Sequence, residues 1–476
     1  MPGFCSIPAM IDLKALREDP DRFREGASRK GVAVDIDRVL ALDESRRGIV
    51  TEAERLRAEQ NRLAKESGPK IGQLMGRLKK AEGSEREAIE AEVAELRAGP
   101  ARLKAEIQGL EERLASTEPE LRGLLLEIPQ PPDADVPVGA SAEENVEISR
   151  WAPEWWDWER GFDGSRGFAP RTHLELVESL GLADFERGVK MAGSRSYVLR
   201  GMGMRLHQAV LRLAMDMIVE EHGFEPVSVP VVVREECMEG TGFFPGGRDQ
   251  TYVVDEARRG GASDLYLTGT GEVGLMALRM GEILEESELP MKLATVSTCF
   301  RREAGAAGRD TAGLYRIHQF DKVEQVVICR ADERESRAWH REMIGIVEGL
   351  LRRLELPYRL LQCCTGDLGV KNADMIDVEC WMPGRGELDG AGRPTGEFGE
   401  THSASRLYDF QCRRLNLRYR GDSTGGKPLF CHSLNNTVAA SPRLLIPLLE
   451  MHQTAEGRVR VPEALRGYLG GAAEIG

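Results

Sequence analysis

Between residues 89 and 124, apolar side chains return at Ile89, Val93, Leu96, Leu103, Ile107, Leu110, Leu114, Leu121 and Leu124, in steps of four and three. That spacing holds one narrow stripe on a helix and matches the seam of a coiled coil. From 43 to 128 the surrounding composition is Glu, Arg, Ala, Leu and Lys, the mixture of long helices. Ala81-Glu82-Gly83 reads as a turn, and Ser84 with Glu87 as a capping box behind it. The segment is therefore expected to be an antiparallel helical hairpin that folds back near Gly83. Pro69 in its first half and Pro100 in its second fall at comparable heights, which predicts a bend there, because an interior proline loses a hydrogen bond and clashes with the preceding turn. A heptad seam commonly serves as a dimerisation rod. Arg77, Lys79, Lys80 and Arg86 near the tip suit phosphate contacts equally well, although such a cluster by itself is also what a solvated face looks like.

The overall charge argues against a protein coated in nucleic acid. Asp and Glu number 78 against 64 Lys and Arg, a net −14, so any grip on phosphates must be local. No apolar run reaches the length of a membrane span, and the first residues lack the charged-then-apolar plan of a secretory signal. Nine cysteines occur without a CxxC pair, which suits reduced thiols in a cytoplasm and no zinc site. Pro129, Pro131, Pro132 and Pro137 mark a linker, dividing the chain into residues 1–132 and 133–476.

Residues 299–324, CFRREAGAAGRDTAGLYRIHQFDKVE, read as two strands joined by a glycine-rich loop. Alternation puts Arg301 and Glu303 on one face of the first. It puts Arg316, His318, Phe320, Lys322 and Glu324 on one face of the second, which runs from Tyr315. One face thus carries cations, carboxylates and an aromatic ring, a pattern suited to a flat, charged ligand. The loop is far longer than a hairpin requires, which a mere solvated hairpin does not explain.

This stretch resembles motif 2 of the class II aminoacyl-tRNA synthetases, and among them the seryl-tRNA synthetases. The Phe-Arg-x-Glu start, GRDTAGLYR and HQFDKVE match as they stand. The resemblance implies that Arg301 binds the α-phosphate of ATP, that Arg302 belongs to the ATP site, and that Glu303 takes part in the ATP and acceptor-end site. It implies that Phe320 stacks on adenine beside Ile317, that Arg316 reaches the outer phosphates, and that Glu324 with Arg301 holds serine. Residues 267–273, LTGTGEV, are similar to the family's Thr-x-Glu serine loop, so Thr270, Gly271 and Glu272 become serine-binding candidates. Gly271 stands where alanine is usual and Gly269 where proline is, and two glycines are expected to loosen the loop. Glu400-Thr401-His402-Ser403 resembles the ATP strand whose glutamate and serine also take Mg²⁺, mapping to Glu400 and Ser403. Ala404 and Arg406 depart from the usual pattern.

FEPVSVPVVV resembles motif 1, with Pro230 predicted to lie in an edge or interface strand that builds a homodimer. His432 to Thr437 followed by Ser441, Pro442 and Arg443 resembles motif 3. There Asn435 and Thr437 share a strand face toward serine, and Arg443 binds the γ-phosphate. Ser441 and Pro442 read as the cap and first residue of a helix. Pro447 would then kink that helix and strip the Arg443 carbonyl of its partner.

The fold implied is α+β: an antiparallel class II catalytic sheet flanked by helices, with an N-terminal helical arm. The implied activity is ATP-dependent activation of serine and its transfer to the 3′ end of serine tRNA, and of selenocysteine tRNA. The implied cofactor is Mg²⁺. Two alternatives stay open: a relative that loads an amino acid onto a carrier protein, and a non-catalytic coiled-coil paralogue. The family's usual beginning matches from Met10, leaving residues 1–9 as a short disordered tail or Met10 as the true start.

Overall fold

The computed structural model describes residues 10–305 and 313–476, so the expected tail at 1–9 and the middle of the long loop, 306–312, lie outside the described residues. The chain forms two compact units, one of residues 34–127 and one of residues 10–33 with 128–476. Two short helices open the chain, α1 (Leu13–Glu18) and α2 (Pro20–Arg29). Their caps were written locally: Asp12 accepts from the Lys14 and Ala15 N–H groups, and Asp19 precedes Pro20 at the first helical position. By packing these helices belong with residues 128–476 rather than with the arm.

The arm is the hairpin of α3 (Ile36–Leu78) and α4 (Gly83–Glu127). Ile89, Val93, Leu103, Ile107, Leu114 and Leu121 are buried along it. After Leu121 the seam passes to Leu125 rather than Leu124, as a 3.6-residue helix drifts against a 3.5-residue repeat. Arg38–Glu120 and Arg57–Glu111 tie the two helices across the seam. Gly83 supports the turn with φ +61, a left-handed conformation that glycine adopts without strain. Because α4 already begins there, Ser84 and Glu87 lie within its first turn instead of forming a cap. Both helices run unbroken through Pro69 and Pro100, so neither proline of the expected bend ends its helix. A proline removes one hydrogen bond, and the buried stripe on either side holds the helix together across the gap. The Pro100 carbonyl also accepts from Gln60 Nε2 of the opposite helix at 3.3 Å.

The second unit is built on an eight-stranded sheet: β1 (Val146–Trp151), β2 (Glu225–Pro226), β3 (Met291–Phe300), β4 (Gln319–Cys329), β5 (Tyr358–Gln362), β6 (Asp374–Met382), β7 (Glu397–Tyr408) and β8 (His432–Ser441). Their spatial order is β1-β5-β6-β7-β8-β4-β3-β2, antiparallel throughout except between β2 and β3. One face packs on α5 (Gly201–Glu220) and α6 (Glu333–Arg353). Leu206, Val210, Ala214 and Met217 recur at helical spacing on α5 and meet Val323, Val327 and Val438 of the sheet in one core. Gln325 and Asn436, opposite each other on β4 and β8, both donate to the Met343 carbonyl of α6 at 3.0 Å. The other face of β4 is left to Phe320, Lys322 and Glu324.

Three expectations at strand ends are corrected. The strand after the long loop begins at Gln319, not Tyr315, and the strand before it ends at Phe300. Pro230 lies outside any strand; the motif 1 segment contributes the short edge strand β2, breaks around the exposed Pro230, and pairs again at Val232 and Val233 in a separate three-stranded sheet. The helix after β8, α7, spans Leu445–His452 rather than starting at Pro442. Ser441 is the last residue of β8, and its hydroxyl bonds His207 Nδ1 at 2.8 Å instead of capping. Pro447 is then the third helical residue, where the missing N–H would have had no acceptor within the helix. The Arg443 carbonyl accepts from the Ile446 N–H at 3.1 Å, so nothing is kinked there.

Three buried histidines of this unit, His340, His402 and His452, and the half-buried His432 are held neutral by desolvation. His402 is pushed down to about 3 and His452 to about 4, and His340 and His432 move in the same direction. Above the unfolded value of 6.5 such groups leave stability untouched. Below it the unfolded chain binds the proton first, so stability falls. His402 and His452 should each contribute a slope approaching about 1.4 kcal/mol per pH unit between the unfolded value and their own, and His340 and His432 act in the same direction. Urea midpoints are expected to drop between about pH 7.5 and about pH 5, which lie roughly one unit or more on either side of the ordinary histidine value, and equal midpoints would contradict the neutral burial of these rings.

Candidate active site

On the face of the sheet turned away from α5 and α6 lies a cavity of about 350 Å³. Fourteen of the seventeen candidate binding residues line it: Thr270, Glu272, Arg301, Glu303, Ile317, Phe320, Glu324, Glu400, Thr401, His402, Ser403, Asn435, Thr437 and Arg443. Strand register explains the gathering. Glu324 sits opposite Thr295 on one side and Thr437 on the other. A bulge at that point leaves Val438 unpaired and buried in the core, which keeps Asn435 and Thr437 on the cavity face. A second bulge skips Thr401, so that Glu400 and Ser403, three residues apart, both reach the cavity.

One end of the cavity is a buried network of carboxylates and cations. Lys322 Nζ contacts Glu324 and donates to Thr270 Oγ1 at 2.9 Å; the Thr270 hydroxyl donates to Glu324 at 2.7 Å. Glu272 accepts from Lys371 Nζ at 2.6 and 2.7 Å, from Gln411 at 2.6 Å and from Asn435 at 2.5 Å. Each carboxylate thus has a lysine, and buried charges are tolerated only when so paired.

The middle and far end carry the arginines. Arg301 lies over the Phe320 ring, 5.2 Å from its centroid, and Nε donates to the Gly269 carbonyl at 3.4 Å. Arg443 lies over the Tyr315 ring at 4.6 Å and donates to the Tyr315 and Glu400 carbonyls. Glu303 takes a left-handed φ of +52, rare for a side-chain-bearing residue and a kind of strain that collects at functional sites. It accepts from Arg316 at 2.9 Å.

Three candidates do not line the cavity. Arg316 reaches it only through Glu303. Arg302 points away, its guanidinium on the Asp249 carbonyl at 3.1 Å. Gly271 lies behind the wall. His318, expected on the same face as Phe320, instead bonds the Arg301 carbonyl at 2.9 Å and lines a separate groove. The irregular backbone before β4 breaks the alternation there.

Gly271 corrects the expected loosening of the loop. Its φ of −65 is ordinary helical backbone. A Cβ there would stand 2.5 Å from Thr295 Cγ2 and 2.9 Å from Ser297 Oγ, so glycine is required by close packing against β3. Gly269 has no such demand, its nearest atom at 3.4 Å. Lys371, Gln411, Asn372, Met375 and Tyr315 were missed as cavity or network residues. Lys371, a lone lysine in a loop, carries no sequence signal.

Asp377 pairs with Ser403 across β6 and β7, and its Oδ1 is buried without a hydrogen-bond partner. Burial, with Glu400 nearby, holds it well above the usual carboxylate range. Glu400 and Ser403 with this crowding of hard oxygen donors suit a divalent cation such as Mg²⁺.

Residues 10–132 match the family described as the seryl-tRNA synthetase N-terminal domain, and residues 252–452 the tRNA synthetase class II core domain (G, H, P, S and T). The serine–tRNA ligase of Deinococcus radiodurans is 41% identical over 467 residues, 98% of this chain and 99% of that one. That of Thermomicrobium roseum is also 41% identical, over 98% of this chain and 95% of its own. Among solved structures, the seryl-tRNA synthetase of Pyrococcus horikoshii complexed with ATP superposes with a TM-score of 0.76 at 35% identity, covering 98% and 99% of the two chains. The cytoplasmic enzyme of Naegleria fowleri in complex with AMP gives 0.78 at 29%, covering 99% and 98%.

The packing at Gly271 is open to test. Gly271→Ala should destabilise the protein by about 1–3 kcal/mol, as overpacked sites do. Adding Thr295→Ser, which removes the opposing methyl, should restore the greater part in denaturant melts; a harmless Gly271→Ala would show that the wall yields.

Proposed function

Since the chain belongs to the seryl-tRNA synthetase family, we propose that it activates L-serine with ATP and transfers the seryl group to the 3′ end of serine tRNA, and of selenocysteine tRNA. The observation that carries this is one cavity joining a buried carboxylate network, sized for a small polar amino acid, to a row of arginines suited to a nucleotide. Thr270, Gly271, Glu272, Glu324, Asn435 and Thr437 serve the serine end, with Arg301 at the junction. Phe320 and Ile317 bear on adenine. Glu303, Thr401, His402 and Arg443 belong to the ATP portion, with Arg316 acting through Glu303; Arg302, turned onto the Asp249 carbonyl, would have to swing round to join them.

In the first step a serine carboxylate oxygen attacks the α-phosphorus and pyrophosphate leaves. In the second the terminal ribose hydroxyl of tRNA attacks the seryl carbonyl and AMP leaves. Neither step needs a protein nucleophile. Arg301 and Arg443 hold the reacting groups in line and balance negative charge that grows on the phosphate oxygens. Glu400 and Ser403 would hold Mg²⁺, which supplies further charge neutralisation at the phosphates. Serine differs from alanine by one hydroxyl, and a buried site built to pair it rejects the analogue by roughly 10⁴-fold. Glu324 and Thr437, adjacent across β4 and β8, are the pair for that hydroxyl.

The division we propose is a tRNA-binding region 1–132 with its arm and a catalytic region 133–476, in a cytoplasmic homodimer formed beside β2 and Pro230. The exposed tip cations Arg77, Lys79, Lys80 and Arg86 support phosphate contact. The arm favours a tRNA acceptor over a carrier protein, and the assembled cavity favours a catalyst over an inactive paralogue. No helix among the described residues is long and apolar enough to cross a membrane.

Serine-dependent ATP–pyrophosphate exchange followed by transfer of labelled serine to tRNA tests the whole reading. Glu324→Gln should cripple exchange while the fold survives; near-normal exchange would refute the serine assignment. Removal of residues 43–128 should spare exchange and abolish tRNA charging, whereas equal loss of both would make the arm a structural element of catalysis.

A further inference from the structure

Lys371 reaches Glu272 from a loop, residues 369–372, that has no regular structure of its own. Gly369, Lys371 and Asn372 all line the cavity. The Gln130 N–H on the Val370 carbonyl and the Asn372 amide on Ser405 Oγ, each at 2.8 Å, hold parts of the loop, and the side chain that grips it on both sides of Lys371 comes from more than three hundred positions away. Lys30, at the C-terminal end of α2, donates from Nζ to the Gly369 carbonyl at 2.9 Å and to the Asn372 carbonyl at 2.5 Å. The two carbonyls flank Lys371. Lys30 is only 7% exposed, and burial pushes its ammonium down to about 7. Carbonyl dipoles compensate a buried cation less well than a carboxylate does, so keeping a lysine here costs stability.

The contacts continue inward. Lys371 engages both Glu272 oxygens, and Glu272 receives the Asn435 amide at the cavity wall. Phe243 lies under the Lys371 ammonium, 4.2 Å from nitrogen to ring centroid, and limits its sideways movement. Position at the loop is thereby passed to the amino-acid end and not to the arginine end.

We propose that Lys30 is a positioning residue of the amino-acid site: by clamping both sides of the 369–372 loop it fixes Lys371 on Glu272, and so sets affinity for serine but not for ATP. The helix pair α1–α2, which precedes the arm in the chain, is on this view a part of the catalytic apparatus. The inference rests on the serine-activating reading above.

The test uses the full-length protein with Lys30→Met, Lys371→Met, the double variant and Lys30→Arg. It measures pyrophosphate exchange against serine and ATP separately. Lys30→Met and Lys371→Met should each raise KM for serine about tenfold, the scale of a lost hydrogen bond to a charged group, with KM for ATP unchanged. The double variant should be no worse than Lys371→Met, because Lys30 acts through it. Lys30→Arg keeps the donors and should recover most of the affinity. Additive effects, a parallel rise in KM for ATP, or an unchanged KM for serine would each overturn the proposal. Should Lys30→Met fail to fold, Lys30→Gln, one atom shorter and unable to reach both carbonyls at once, carries the same comparison under the same criteria. Wild-type protein without serine-dependent exchange would refute the functional reading itself; wild-type exchange with no serine-specific defect in the variants refutes only the clamp.

Discussion

The two lysine–carboxylate pairs at the end of the cavity, Lys322 with Glu324 and Lys371 with Glu272, are the interactions on which the rest of the site depends. Both carboxylates are nearly inaccessible, with Glu324 at 2% and Glu272 at 3%. Charges at that depth persist only where the geometry is held from several sides. The sheet supplies that hold. Its opposite face is closed against α5 and α6 by one apolar core. The central strands are thus anchored on one side and can carry ionised groups on the other.

Anchoring alone would not aim the side chains. A regular strand alternates strictly, so residues 400 and 403 would fall on opposite faces. The bulge beside Glu379 and the one beside Glu324 each move a strand on by one residue. The first brings Glu400 and Ser403 together, and the second keeps Thr437 beside Glu324 while Val438 turns into the core. The same economy of space explains Gly271, where the loop bearing Thr270 and Glu272 approaches β3 too closely for a methyl group. A residue that reads as flexible in one dimension is packed rigidly in three.

The arm follows different rules. Its stability comes from a single stripe and from ion pairs across the two helices, so local exceptions are absorbed. Pro69, Pro100 and Pro119 all lie inside continuous helix. The loss at each is about 3 kcal/mol in an isolated helix. Burial of Leu74, Ile89 and Val93 toward the tip and of Leu56, Leu103 and Ile107 farther down offsets it.

From its sequence the protein's helical hairpin, the polar face at Phe320, Lys322 and Glu324, and most of the cavity were legible. Those features rest on periodicity and on short motifs, which are properties of neighbours along the chain. The tertiary structure decided what depends on distant partners. Ser441 looked like a helix cap, but His207 of α5 takes its hydroxyl, and the turn that follows delays the helix to Leu445. That delay makes Pro447 harmless. His318 belonged to the alternating face on paper, yet lies where the backbone has not yet become strand. Lys371 and Lys30 had no local signal at all, because the significance of a lysine in a loop or at a helix end lies in the buried oxygens it meets, and those are contributed by residues far away in the chain.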